Sequence, residues 1–346
     1  MLLPAEAGEG AYDKRILEVS KLQHLNDFKS SLCLLYMDVG HLIEAQQFTP
    51  ALLFSLFREA DAIRVSPESY ANDCAGKILA TLFYEPSTRT RLSFESAMLR
   101  LGGKIIGTDN AREFSSAVKG ESIEDTIRVI AHYANAIVLR HHEEGSALRA
   151  SLVSTVPVIN AGDGKGQHPT QALLDVYTMY RECGRLTNLK IAIVGDLIAG
   201  RTTHSLAYLL GKFENNELIF VSQPHLKMKS EILEYLQRHG VKYREESDIR
   251  DILSEIDVIY MTRIQKERLS YEEYIKARGM FVITPETLAL LKSSTRILHP
   301  LPHVEEIMLP HEIEQKDSKV AYFRQTENGL FIRMALLRRL LTRTRV

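Results

Sequence analysis

Short apolar runs alternate with segments of helical spacing along most of this chain, and that rhythm restricts the fold more than any other feature. Residues 77–83 (KILATLF), 104–107, 136–140 (AIVLR), 190–195 (KIAIVG), 218–221 and 258–262 read as strands. Between them, residues 87–101, 121–133, 171–180, 203–212 and 229–239 place apolar side chains on one helical face. A strand that is apolar throughout, like 77–83, suits burial on both faces, as in a parallel sheet covered by helices. The alternation therefore predicts an α/β fold of doubly wound parallel sheets. The 346 residues are enough for about two domains, and the rhythm repeats in the second half, so each domain has its own sheet. Residues 50–63 open the regular pattern as a helix capped by Thr49, with Pro50 at its first position. Residues 327–341 close it as a helix rich in Leu and Arg. Residues 1–45 read as an N-terminal extension whose one candidate helix covers 28–46.

Composition excludes several classes. The formal net charge is -1, so no whole-chain attraction draws the protein to nucleic acid or to an anionic membrane, and any anion must be held by charges gathered locally. Cys33, Cys74 and Cys183 lie far apart and form no CxxC, which fits a reducing compartment rather than a disulfide framework or structural zinc. No apolar run approaches the ~20 residues of a membrane span. The N-terminal stretch is acidic rather than Arg-rich, so neither a signal nor a transit peptide is expected. The expected location is cytoplasmic.

One turn departs from ordinary helix capping. Tyr84-Glu85-Pro86 leads from strand 77–83 into Ser87-Thr88-Arg89-Thr90-Arg91 and then a helix. Ligands collect at the carboxyl ends of parallel strands, and a helix N-terminus offers unpaired N–H groups and partial positive charge. Ser87, Thr88, Thr90 and the planar fork of Arg89 add donors suited to phosphate oxygens. That is more than a cap requires, and it predicts a dedicated phosphate site. The chain has no Gly-x4-Gly-Lys-Ser/Thr, so a nucleoside triphosphate is not the expected ligand. Arg140 ends another strand, where its side chain can reach a crevice, and His168 stands just outside a helix with Pro169 near its first position. By itself such a histidine is more often a cap or a surface group.

Ser87-Thr88-Arg89-Thr90-Arg91 followed by Leu92-Ser93-Phe94-Glu95 resembles the carbamoyl-phosphate signature of the aspartate and ornithine carbamoyltransferases, and the likeness runs from about Phe48 to the end of the chain. The resemblance implies two doubly wound domains with the active site in the cleft between them. Residues 46–168 with 328–346 would bind carbamoyl phosphate, the C-terminal helix returning to that domain, and 169–327 would bind aspartate. By the same resemblance, Ser87, Thr88, Arg89 and Arg140 hold the phosphate, while Thr90, Arg140 and His168 contact the carbamoyl oxygen and Gln171 lies near the carbamoyl amine. Ser115 and Lys119, in the polar loop SSAVKGE, cross into a neighbouring subunit's site, and Lys119 also serves aspartate. The implied assembly is a homotrimer with shared sites. Neither a cofactor nor a metal is implied. The chemistry is attack of an amine on a carbonyl with phosphate leaving, for which preorganised donors are the main device.

Aspartate brings two carboxylates and needs two separate cationic forks. Arg201, in the turn GDLIAGRT, and Arg263, after strand 258–262, sit at strand ends of one sheet and can face one crevice. Gln265 follows two positions later. In the resembled family, the carbonyls matching Leu301 and Pro302, in the rigid turn HPLP, orient the substrate amines. Ornithine enzymes usually carry His-Cys-Leu-Pro there and a Ser-Met-Gly-type acceptor segment, so Pro300 and Met261-Thr262-Arg263 select aspartate over ornithine. A catalytically dead scaffold should have lost charged residues, yet Arg89, Lys119, Arg140, His168, Arg201 and Arg263 all remain. GDLIAGRT lacks GxGxxG, which argues against a nicotinamide dehydrogenase. His299, His303, Glu305 and Glu306 suggest zinc only superficially, because the intervening prolines break helical spacing. Ile198-Ala199 replaces a Lys-Tyr pair that some allosteric members use between trimers, so their regulated dodecamer is not expected. The residues are silent on a separate regulatory chain.

Overall fold

The computed structural model describes residues 40–114, 116–264, 271–272 and 281–342. The first sheet is built from β1 (Ile78–Phe83), β2 (Lys104–Thr108), β3 (Ala136–His141) and β4 (Val158–Asp163), in the order β2-β1-β3-β4. The second contains β5 (Lys190–Val194), β6 (Glu217–Val221), β7 (Lys242–Glu246), β8 (Val258–Met261) and β9 (Arg296–Leu298), in the order β7-β6-β5-β8-β9. Every pairing between these strands is parallel. Residues of β1, β3, β5 and β8 are buried almost throughout, the consequence of apolar runs with no polar face to turn toward water.

The longer helices are α1 (Pro50–Val65), α2 (Thr88–Arg100), α3 (Ile123–Ile130), α4 (Ser146–Val153), α5 (Pro169–Cys183), α6 (Arg201–Leu210), α7 (Ser230–Arg238) and α8 (Tyr322–Thr342). Thr49 caps α1 as expected, its Oγ1 accepting from the Leu52 N–H at 3.2 Å. The last helix packs on α1, α2 and α5, and α5 also packs on α6. One apolar core consequently runs from Leu79 and Phe94 through Tyr177 and Leu337 to Ile191 and Val258. Full burial of each such side chain contributes about 1.5–3 kcal/mol.

Register decides where chemistry can occur. Phe83 pairs with Arg140, so β1 and β3 end level and the turn 84–87 lies beside Arg140. Val194 pairs with Met261, so the turn 195–200 lies beside Thr262 and Arg263. In both sheets the strand order reverses between these two strands, and the crevice at such a switch point is where open α/β sheets bind ligands.

Three strands were not expected. β4 follows Pro157 directly, β9 has three residues, and β7 reads KYREE with charges on an edge strand. Its Arg244 is paired with Glu217, Glu246 and Glu255, an arrangement that also discourages edge-to-edge pairing. The expected helix over 28–46 falls mostly outside the described residues, and its described end is not α-helical. Leu42 bridges in parallel to Ile159, the Asn160 amide donates to the Ile43 carbonyl at 2.9 Å, and only Ala45–Gln47 forms a 3-10 turn. β4 offers an unpaired edge here, and its backbone groups outcompete a free helix for these residues. No helix among the described residues is long and apolar enough to cross a membrane.

Candidate active site

Strand ends of both sheets open on one cleft of about 560 Å³. At the start of α2 it is lined by Ser87, Thr88, Arg89 and Thr90. Ser87 occupies the N-cap position without a side-chain cap bond, and the first turn contains no acidic residue. The hydroxyl is thus not spent on capping, and the helix terminus keeps its positive field. Burial lowers the titration of the Arg89 guanidinium.

Arg140 enters from the end of β3, with Nε 3.3 Å from Glu85 Oε2 and Nη1 donating to the Ala161 carbonyl at 3.5 Å. Burial, reinforced by Arg201, pushes it down to about 9. Arg201, the first residue of α6, reaches across to the first sheet. Its Nη1 donates to the Gly164 carbonyl at 3.1 Å and its Nη2 to Glu85 Oε2 at 2.9 Å. Gly162, at φ 111°, makes this reach possible, since a Cβ there would stand 2.9 Å from the Arg201 guanidinium carbon. Gly195 has φ 122°, and its Cβ would meet the Thr262 carbonyl oxygen at 2.4 Å. The turn between Gly195 and Arg201 is tied by Asp196 Oδ1, which accepts from the Ala199 N–H at 3.0 Å.

His168 caps α5. Its Nδ1 accepts from the Gln171 N–H at 3.3 Å, and its own backbone N–H donates to Ser205 Oγ at 2.8 Å. A backbone amide can only donate, so Nδ1 is unprotonated and the ring proton sits on Nε2. Burial, with Arg201, Arg140 and Arg333 adding to it, holds this imidazole well below the usual histidine range. At neutral pH His168 is an uncharged ring with an Nε2–H, lining the cleft.

The facing wall carries Thr262 and Arg263 after β8 and the turn His299-Pro300-Leu301-Pro302 after β9. The Leu301–Pro302 peptide is cis and Leu301 has φ 57°. His299 holds this turn from inside: Nδ1 accepts from the Leu301 N–H at 2.7 Å, and Nε2–H donates to Glu306 at 2.9 Å. Burial keeps His299 neutral, while its hydrogen bond holds the Glu306 carboxylate low against the opposing effect of burial. Among the described residues, no group of three or more His, Cys, Asp and Glu is placed to hold a metal ion.

The structure thus brings Ser87, Thr88, Arg89, Thr90, Arg140, His168, Gln171, Arg201, Arg263, Leu301 and Pro302 to one cleft. Lys119, itself exposed, ends the 3-10 turn Ser116–Lys119 and is not among the lining residues. Ser115 and Gln265 lie outside the described residues. Three contributors were missed. Glu85 was read only as part of a turn, Gln325 donates to the buried Asp175, and Arg333 enters from α8. Arg333 donates to Ser93 Oγ at 2.6 Å, and its guanidinium carbon lies 4.9 Å from the Phe94 ring centre. An arginine inside the apolar run FIRMALL was the one available signal.

Comparison with known proteins agrees with this geometry. Residues 40–181 match the family described as aspartate/ornithine carbamoyltransferase, carbamoyl-P binding domain, and residues 187–340 match its Asp/Orn binding domain. The chloroplastic aspartate carbamoyltransferase of Oryza sativa is 51% identical over 312 residues, 88% of this chain and 85% of that protein. The catalytic subunit of M. jannaschii aspartate transcarbamoylase superposes with a TM-score of 0.79 at 46% identity, covering 87% of this chain and 97% of that one. The Trypanosoma cruzi aspartate transcarbamoylase in complex with carbamoyl phosphate and aspartate gives 0.80 at 35% identity, over 86% of this chain and 94% of that one. With both halves matched and two solved relatives superposing over nearly their whole length, the chain belongs to the aspartate/ornithine carbamoyltransferase family.

Proposed function

We propose that this chain transfers the carbamoyl group of carbamoyl phosphate to the amino group of L-aspartate, yielding N-carbamoyl-L-aspartate and phosphate for pyrimidine biosynthesis. One observation carries the reading: Arg89, Arg140, Arg201, Arg263 and Arg333 face a single cleft with a neutral histidine among them. That excess of positive charge fits two polyanionic reactants bound side by side. Ornithine would bring an ammonium group toward Arg201 and Arg263 and is disfavoured for that reason.

In the reaction the aspartate nitrogen bonds to the carbonyl carbon, the C–O bond to phosphate breaks, and the surplus amine proton passes to the departing phosphate. Ser87, Thr88, Arg89 and Arg140 bind the phosphate oxygens. Thr90, Arg140 and the Nε2–H of His168 stabilise charge growing on the carbonyl oxygen. A neutral donor suits that role because it needs no proton transfer of its own. Gln171 holds the carbamoyl amine, while Arg201, Arg263, Gln265 and the carbonyls of Leu301 and Pro302 hold aspartate in line for attack. Residues 46–168 with 328–346 form the donor domain and 169–327 the acceptor domain in this reading. The packing of α8 on α1 and α2 supports it. Ser115 and Lys119 complete a neighbour's site in a homotrimer, a reading supported by Lys119 not being among the residues that line its own chain's cleft.

The scattered cysteines favour the cytoplasm, and fractionation would distinguish that from the chloroplast named for the rice relative. The direct test is phosphate release from carbamoyl phosphate with aspartate and ornithine compared. Release dependent on aspartate, with N-carbamoylaspartate formed, is expected. Release dependent on ornithine alone would overturn the acceptor pocket, and release with neither would overturn the activity.

A further inference from the structure

Asp175 lies in the middle of α5, fully buried and outside the cleft lining. Its Oδ1 accepts from two side-chain amides that do line the cleft: Gln171 Nε2 at 2.8 Å and Gln325 Nε2 at 2.6 Å. A carboxylate only accepts, so both amides must turn their NH2 groups inward and their oxygens away. Gln325 Oε1 then accepts from the His299 N–H at 2.9 Å, which anchors the start of the turn His299–Pro302. Gln171 is the residue proposed to hold the carbamoyl amine and the turn is proposed to face aspartate, so one oxygen is common to both.

We propose that Asp175 is a positioning residue for the transfer, orienting the Gln171 amide toward the carbamoyl donor and, through Gln325, the turn that faces the acceptor. The inference rests on the carbamoyl-transfer reading given above. Its surroundings suit a group held for orientation rather than for stability. Burial pushes the Asp175 carboxyl up to about 7 against the hydrogen bonds that favour its charge. The buried Tyr260 hydroxyl beside it is among the groups that favour its charge. Arg333 is the buried cation that senses it. A carboxylate kept in so costly a place is better explained by the two amides it aligns than by net stabilisation.

The test compares Asp175→Leu, which removes the acceptor, with Asp175→Asn, which keeps an oxygen at the same position. In steady-state assays Asp175→Leu is expected to lower kcat by about 10²-fold, the cost of a misplaced substrate, and to raise KM for both substrates. Asp175→Asn is expected to recover most of that loss. If Asp175→Leu fails to fold, Gln325→Met and Gln171→Met separate the two arms: the first should raise KM for aspartate alone, the second KM for carbamoyl phosphate alone. Parallel changes in both constants from each single-arm variant, equal impairment by Leu and Asn, or a folded Leu variant with wild-type kinetics would overturn the proposal. The unmodified protein is the control that separates the two ideas. If it shows no aspartate-dependent turnover, the reaction assignment fails; if it turns over and the variants match it, only the role of Asp175 fails.

Discussion

Arg140 and Arg201 come from different sheets and meet on a single oxygen: Glu85 Oε2 lies 3.3 Å from Arg140 Nε and 2.9 Å from Arg201 Nη2. Two guanidinium groups held this close repel each other, and Arg201 is among the causes that depress Arg140. Glu85 is what lets them share the site. Replacing it with alanine leaves two partly buried cations uncompensated, at a cost of about 3 kcal/mol. Added inorganic phosphate can take the carboxylate's place between them. Glu85→Ala should therefore melt below the wild type and gain more from phosphate than the wild type does. Equal phosphate shifts in both proteins would show that Glu85 does not set the arginine geometry.

Arg89→Ala should abolish most turnover while leaving the fold intact. The side chain lines the cleft at the N-terminus of α2 and is not required by the helix cap. Loss of one preorganised donor costs about 10²–10³ in rate. A purified variant with a native circular dichroism spectrum and near-normal kcat would refute the assignment.

Acid should unfold this protein before its carboxylates alone would. Burial pushes His41 and His141 each down to about 4, and it lowers His168, His204 and His299 in the same direction. The folded state then binds fewer protons than the unfolded chain. Stability is complete above the ordinary histidine value near 6.5 and falls as pH drops from there toward 4. Each such histidine costs about 1.4 kcal/mol per pH unit in that window. Asp175, pushed up to about 7, works in the opposite sense and offsets part of the loss. His41 accepts from the Val158 N–H at 3.0 Å, a bond an asparagine oxygen can replace. His41→Asn should flatten the dependence of urea-unfolding free energy on pH between about 6.5 and 4 by close to one proton. An unchanged slope would place the acid sensitivity elsewhere.

The parts of the site that were legible beforehand are those whose partners are close in sequence. Ser87 to Thr90 announce an anion site because strand, turn and helix start are contiguous. Pro169 marks the helix start that puts His168 at a cap. Glu85 could not be read the same way, because its value comes from Arg140 and from Arg201, 116 positions away. Arg333 and Ser93 are separated by 240 positions, and Gln325 and Asp175 by 150. Such pairs exist only after α8 has folded back onto the first sheet's helices. β7 was missed for a related reason: KYREE looks like a solvated segment until Glu217 and Glu255 are placed beside Arg244.

Arg263→Ala should act on the acceptor rather than the donor. Arg263 lines the cleft after β8 of the second sheet, whereas the α2 terminus belongs to the first. The expected result is a raised KM for aspartate with KM for carbamoyl phosphate unchanged, the signature of lost acceptor binding. An unchanged aspartate KM would count against this part of the cleft as the acceptor pocket.

The proposed sharing of sites makes a sharper demand on the assembly. Under the proposed homotrimer, Lys119→Ala and Arg140→Ala should each yield nearly inactive protein, one lacking the group proposed to be lent to a neighbour and the other the proposed oxyanion donor. If a site takes Arg140 from one chain and Lys119 from the next, a mixed trimer contains boundaries at which both residues are wild type. An Arg140→Ala chain supplies an intact Lys119, and a Lys119→Ala chain supplies an intact Arg140. Dissociating the two inactive variants, mixing them and allowing reassembly should therefore restore activity that neither possesses alone. Sites contained within single chains cannot be repaired in this way, because every chain in the mixture carries one defect. Recovery after mixing, measured at matched protein concentration against each variant taken through the same treatment, distinguishes the two arrangements. No recovery from mixtures that have demonstrably exchanged subunits would mean that Lys119 acts within its own chain or not at all.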